Sequence, residues 1–194
     1  MTETAITQLN IKWGICGFAS SLAAMYSHGN ISGVVDDAVS KGHLNTRLLA
    51  EIKTYLNILK SENKIILLQE IRDFTRSFKG YGNFTIDNFI LKINSVAVDP
   101  VRNITKDFSI AMPPNAVLDY LKRVGGFVHA REISPTAKQN NVILGLSSGK
   151  KSKPYKGLGH WVYKKTDNEI YNWGKQVALK DILKDFKIVY QIAL

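Results

Sequence analysis

The chain contains one cysteine, five prolines and no apolar run approaching the ~18–20 residues that a membrane-crossing helix needs. A lone cysteine excludes an internal disulfide and fits a reducing compartment. One cysteine and four scattered histidines (His28, His43, His129 and His160) offer no zinc-type ligand spacing, so no metal and no cofactor are expected. The first twelve residues lack a basic start followed by an apolar stretch, so no cleavable secretory signal is expected. The chain is then made in a cytoplasm, and either stays there or is exported by a signal-independent route. The segment from Gly145 to Gly149-Lys150-Lys151 is no phosphate-binding loop: three residues instead of four separate its glycines, and a lysine stands where Ser or Thr would hold magnesium.

What is present reads as an ordinary globular chain. With 194 residues, 45% hydrophobic and 22% charged, it can bury one sizeable core. Apolar spacing predicts a helix from Asn45 to about Ser61 through Leu48, Leu49, Ile52, Tyr55, Leu56 and Leu59. A second run through Ile65, Ile66, Leu68, Ile71, Phe74 and Phe78 stops at Lys79-Gly80-Tyr81-Gly82. Residues 84–99 fit either strand or helix. Asn115 is the expected N-cap of a helix over Ala116 to Lys122. Strand patterns follow at Asn141–Leu146, around His160, around Asn172 and at Lys187–Ile192, with a short helix from Leu179 to Phe186 before the last. Helices first and an antiparallel sheet last define an α+β fold.

The cysteine falls where loop becomes helix, in Trp13-Gly14-Ile15-Cys16-Gly17-Phe18. From Ile15 the apolar residues Phe18, Ala19, Leu22, Ala23 and Tyr26 follow one helical face, and His28-Gly29-Asn30 ends the run. Unpaired N–H groups at a helix start favour a thiolate, so the pKa of Cys16 is expected to fall from about 8.5 by one or more. Near the other end, Gly159 to Lys165 and Glu169 to Gly174 form a predicted β-hairpin around Thr166-Asp167-Asn168. Register decides its chemistry. An odd-length loop, or a bulge, puts His160 and Asn172 on the same face as diagonal neighbours, whereas a plain two-residue loop puts them on opposite faces. His129 lacks such a polar partner and is expected to be a packed or surface residue.

The order Cys16, His160, Asn172, with the cysteine opening a helix, the histidine in a Gly-His strand and the asparagine before Trp-Gly, resembles the papain-like cysteine peptidases. It is most similar to their compact bacterial branches, the effector-type proteases and papain-fold toxin domains. The similarity covers about a third of the chain and leaves residues 30–140 unmatched. It implies a single domain over residues 1–194, with a helical lobe over about 1–125 and a sheet lobe over about 126–194. It also implies a thiol hydrolase, most of all a peptidase, in which Cys16 attacks a carbonyl, His160 moves the proton and Asn172 orients the imidazole. A deamidase or acyltransferase on the same scaffold, or a retired binding module, are the alternatives. Members of the family commonly carry an oxyanion-hole glutamine six residues before the cysteine. Here that position is Asn10, and Gln8 lies eight before, so either carboxamide is the candidate donor, a group whose removal typically costs about 3 kcal/mol of transition-state stabilisation.

Charge adds a partner class. Residues 138–194 hold eleven lysines against four acidic residues, seven of the ten net positive charges. Lys150, Lys151, Lys153 and Lys156 precede His160 in a Gly, Ser and Pro-bearing loop, a candidate grip for an acidic protein or peptide substrate or an anionic membrane surface. Few arginines and no interleaved aromatics argue against nucleic acid. Trp13, Gly14, Trp161 and Trp173, which flank the three catalytic candidates, are the remaining substrate-binding candidates. Oligomeric state has no sequence signal.

Overall fold

A computed structural model describes residues 2–8, 14–30, 44–98, 108–149 and 154–194. Among them, no helix is long and apolar enough to cross a membrane, and no group of three or more His, Cys, Asp or Glu is placed to hold a metal. The fold is α+β: helices fill most of the described chain up to Arg123, and the strands of one antiparallel sheet all lie in the part that follows.

Helices α1 (Thr2–Gln8) and α2 (Cys16–Ser27) come first. Buried from Gly17 through Met25, α2 is the central helix. It ends as its sequence predicts. Gly29 takes φ 76°, its N–H bonds Tyr26 O, and Asn30 N–H bonds Met25 O, a paired closure that satisfies the last carbonyls. The same closure ends α3 (Leu44–Ser61), with Asn63 as the left-handed residue at φ 53°. The predicted stripe of α3 from Leu48 to Leu59 is buried throughout.

The following helices depart from the sequence pattern at two places. In α4 (Ile65–Arg76), Ile71 and Phe74 are buried, but Ile65 and Ile66 are 58% and 75% exposed. They occupy the first turn, before the stripe reaches the core. Residues 86–98 form helix α5 (Ile86–Val98), with Phe89 and Ile93 buried one turn apart, which resolves the strand-or-helix ambiguity. Helix α6 (Pro114–Arg123) begins two residues earlier than expected, with Pro113 at the cap and Pro114 in the first turn. Asn115 is thus no N-cap. Its amide instead donates to the Glu70 carboxylate at 3.2 Å.

Six strands follow: β1 (Arg131–Ile133), β2 (Val142–Ser147), β3 (Leu158–Thr166), β4 (Glu169–Asn172), β5 (Lys175–Val177) and β6 (Lys187–Ala193), with α7 (Leu179–Asp185) before the last. They form one sheet in the order β1-β6-β2-β3-β4-β5, and every pairing is antiparallel. All six residues of β2 are buried, because both faces of the sheet are covered. One face carries Ile143, Trp161, Tyr163 and Tyr190 and packs on the helices, α2 above all. The other carries Val142, Leu144, Leu146, Val162 and Ile170 against Ile182 of α7. Gly145 admits the Trp161 ring, since a Cβ there would meet it at 2.9 Å.

Candidate active site

The hairpin that carries His160 and Asn172 has a two-residue turn, Asp167-Asn168, between the paired residues Thr166 and Glu169. A regular hairpin on that turn would set the two side chains on opposite faces. A bulge prevents this. Tyr163 pairs with Tyr171 and Lys164 with Ile170, yet Thr166 pairs with Glu169, so Lys165 is the extra residue and parity is restored. His160 and Asn172 then share a face, and His160 Nε2 lies 2.7 Å from Asn172 Oδ1. An amide oxygen can only accept, so Nε2 carries the proton and Nδ1 is left with the lone pair. No other hydrogen bond to the imidazole forms among the described residues.

The pair is shielded. His160 is 6% and Asn172 8% exposed, and the Trp173 ring stacks on the imidazole at 4.4 Å between centroids and 19° between planes. Trp173 and Gly174 form the turn from β4 to β5, both at positive φ, 44° and 71°. This is the turn that suits a two-residue hairpin, but a tryptophan at its first position is unusual.

Cys16 is the first residue of α2 and half-buried. The helix is locked to β3 one turn further on, where Ser20 Oγ donates to Trp161 O at 2.9 Å. Gly17 packs on Met112 so closely that a Cβ would come within 2.8 Å. The β3–β4 ladder ends at Tyr163 and Tyr171. The backbone N–H of Trp161, with those of Gly17 and Cys16, faces the sulfur. The thiol therefore reaches β3 at the peptide that joins His160 to Trp161. It approaches from the α2 side, while His160 projects from the face of Val162 and α7, and no hydrogen bond joins sulfur and imidazole.

Burial dominates the electrostatics and corrects the expected thiolate. Desolvation pushes the Cys16 thiol up to about 11, against the three N–H groups that favour the anion. Desolvation likewise lowers His160 to about 4, opposed by the bond to Asn172. Helix-start donors are present as the sequence suggests. They are outweighed by the low-dielectric setting.

The remaining candidates separate. Asn10, Trp13, Lys150, Lys151 and Lys153 lie outside the described residues. Gln8 ends α1 with an exposed side chain, and its Cα would sit 2.9 Å from a Cβ on Gly174. Its stem packs beside the Trp173-Gly174 turn, and no contact with Cys16 places its amide at the sulfur. Gly14 is exposed and bridges Ser109 in parallel, its N–H on Phe108 O at 3.1 Å. Trp161, expected at the substrate surface, is a core residue at 2% exposure with Nε1 bound to Met112 O at 2.9 Å. It follows His160 on the opposite face, which the alternation of β3 already implied. Trp173 is 39% exposed and gives one ring face to His160. With Asn172, Lys175 and Val177 it lines a groove of about 500 Å³. Lys156 is exposed, and its ammonium lies 4.7 Å from the Tyr190 ring centre. His129 is exposed in a turn before β1. Sequence reasoning missed the shielding role of Trp173 and the contact of Thr7 with the same turn, where Gly174 N–H donates to Thr7 Oγ1 at 3.2 Å. The Trp-Gly pair directly after Asn172 was the available signal for the first; nothing local signals the second.

Comparisons with protein-family models, curated proteins and solved structures give no match to this chain.

Proposed function

We propose that this protein is a thiol hydrolase of papain-like type, most of all a peptidase, working through Cys16, His160 and Asn172. The observation that carries the reading is the buried Nε2 to Oδ1 bond of 2.7 Å under Trp173, on the strand whose backbone faces the Cys16 sulfur. That bond fixes the tautomer. Nδ1 becomes the base that removes the thiol proton as sulfur attacks a substrate carbonyl, and the resulting imidazolium then protonates the leaving amine. Water hydrolyses the thioester with Nδ1 again as base. The N–H groups of Cys16, Gly17 and Trp161 are the nearby donors for negative charge that develops in the attack.

The raised thiol pKa favours attack with proton transfer to Nδ1 in the same step over a preformed thiolate–imidazolium pair. The absence of a hydrogen bond between sulfur and imidazole is also what a retired binding module on the same scaffold would have. Mutagenesis separates the two. Cys16→Ala and His160→Ala should each lower cleavage of an unfolded-protein substrate by about a thousandfold or more, with far-UV circular dichroism unchanged. Undiminished cleavage by folded Cys16→Ala would end the proposal, and no cleavage by the native protein of any member of a peptide library would favour the binding module.

A further inference from the structure

Helix α1 grips the β3–β4 hairpin at both ends. Glu3 lies 3.8 Å from Lys165, the bulge residue, and Thr7 and Gln8 meet the Trp173-Gly174 turn at the other end. Thr7 is 2% exposed. Its hydroxyl donates within α1, to Glu3 O at 3.0 Å or Thr4 O at 3.1 Å, which leaves Oγ1 lone pairs for the Gly174 N–H at 3.2 Å. In a two-residue hairpin the cross-strand bonds join the flanking residues, here Asn172 and Lys175, so the Gly174 N–H has no ladder partner. Thr7 supplies one. The turn needs such support, because a bulky aromatic at φ 44° persists only where its surroundings over-determine it.

We propose that Thr7 is a positioning residue for the His160–Asn172 pair: by holding Gly174 it keeps Trp173 stacked on the imidazole and Asn172 on Nε2. The inference rests on the reading of these residues as part of a catalytic triad. Its geometry is independent of any activity. A loosened turn would admit water to the imidazole and let it swing from the orientation that the Asn172 bond and the Trp173 stack fix.

The test uses the full chain labelled for NMR. In the wild type the Gly174 amide should be protected from hydrogen exchange, and the His160 ring protons should show the upfield shift of a stacked indole. Thr7→Val, which keeps the shape and removes the acceptor, should lose that protection, reduce the ring shift and raise the imidazole titration midpoint. Hydrolysis, where measured, should fall about three- to tenfold, the loss of one hydrogen bond. Thr7→Ser should restore all of these. A Thr7→Val protein with an unchanged ring shift and midpoint would overturn the proposal. So would a wild-type Gly174 amide that exchanges as fast as an exposed one, a result that does not depend on the variant folding. Neither readout requires turnover, so an inert Cys16 would sink the hydrolase reading and leave this result standing on its own.

Discussion

At neutral pH the Cys16 thiol and the His160 imidazole are both uncharged in the resting protein, since burial moves the first to about 11 and the second to about 4. Two measurements follow. A neutral alkylating reagent reacts with thiolate alone, so iodoacetamide labelling of Cys16 should be slow at pH 7 and rise about tenfold per pH unit toward the raised pKa. A rate plateau from about pH 5 to 8, near the reference range for a thiolate–imidazolium pair, would contradict the neutral resting state. The second concerns stability. His160 titrates at about 4 when folded against an ordinary 6.5, so the unfolded chain binds the extra proton first as pH falls. Its contribution is fully present above 6.5 and lost on acidification through 6.5 towards 4, by roughly 3 kcal/mol. Urea unfolding should show this acid loss in the wild type and less of it in His160→Asn. An equal slope in both would place the titration elsewhere.

The β3–β4 hairpin shows how a single inserted residue can decide which side chains meet. Because Lys165 is the extra residue, deleting it should leave Lys164 opposite Ile170 and Thr166 opposite Glu169, and so keep His160 beside Asn172. The deletion variant should retain hydrolysis within about threefold, the cost being the Glu3 contact. Loss of activity in a folded deletion variant would show that the bulge itself is needed. Sequence reasoning identified this parity problem without its solution: loop chemistry is local, but a bulge is chosen by packing on both faces of the sheet. Long helices were legible because α2 and α3 repeat apolar residues over several turns and end at Gly29 and Asn63. Strands β1 and β5, three residues each, are too short to show alternation. Ile65 and Ile66 continue an apolar pattern but stand in a first turn that overhangs solvent, which spacing cannot reveal.

Taken as one molecule, the chain brings its two ends together: α1 braces the hairpin near the C-terminus, and α2 delivers the only cysteine to the same strand. The order Cys16, His160, Asn172 was readable from residue types. Their burial was not, because desolvation depends on the whole of α2, α7 and the sheet closing around them, and it reverses the local effect of the helix start on the thiol. Base-assisted attack on a carbonyl differs from alkylation in that it draws on Nδ1 and not on a standing thiolate population. The most direct measurement is therefore acylation by a small activated ester such as p-nitrophenyl acetate, read as an acetyl group on Cys16 by peptide mass mapping at pH 7. The native protein should form and turn over the acetyl-thioester, the His160→Ala variant should form it at least about a hundredfold more slowly, and Cys16→Ala should carry no adduct at that position. Acylation of Cys16 that is equally fast with and without His160, or no faster than in the unfolded chain, would contradict the triad.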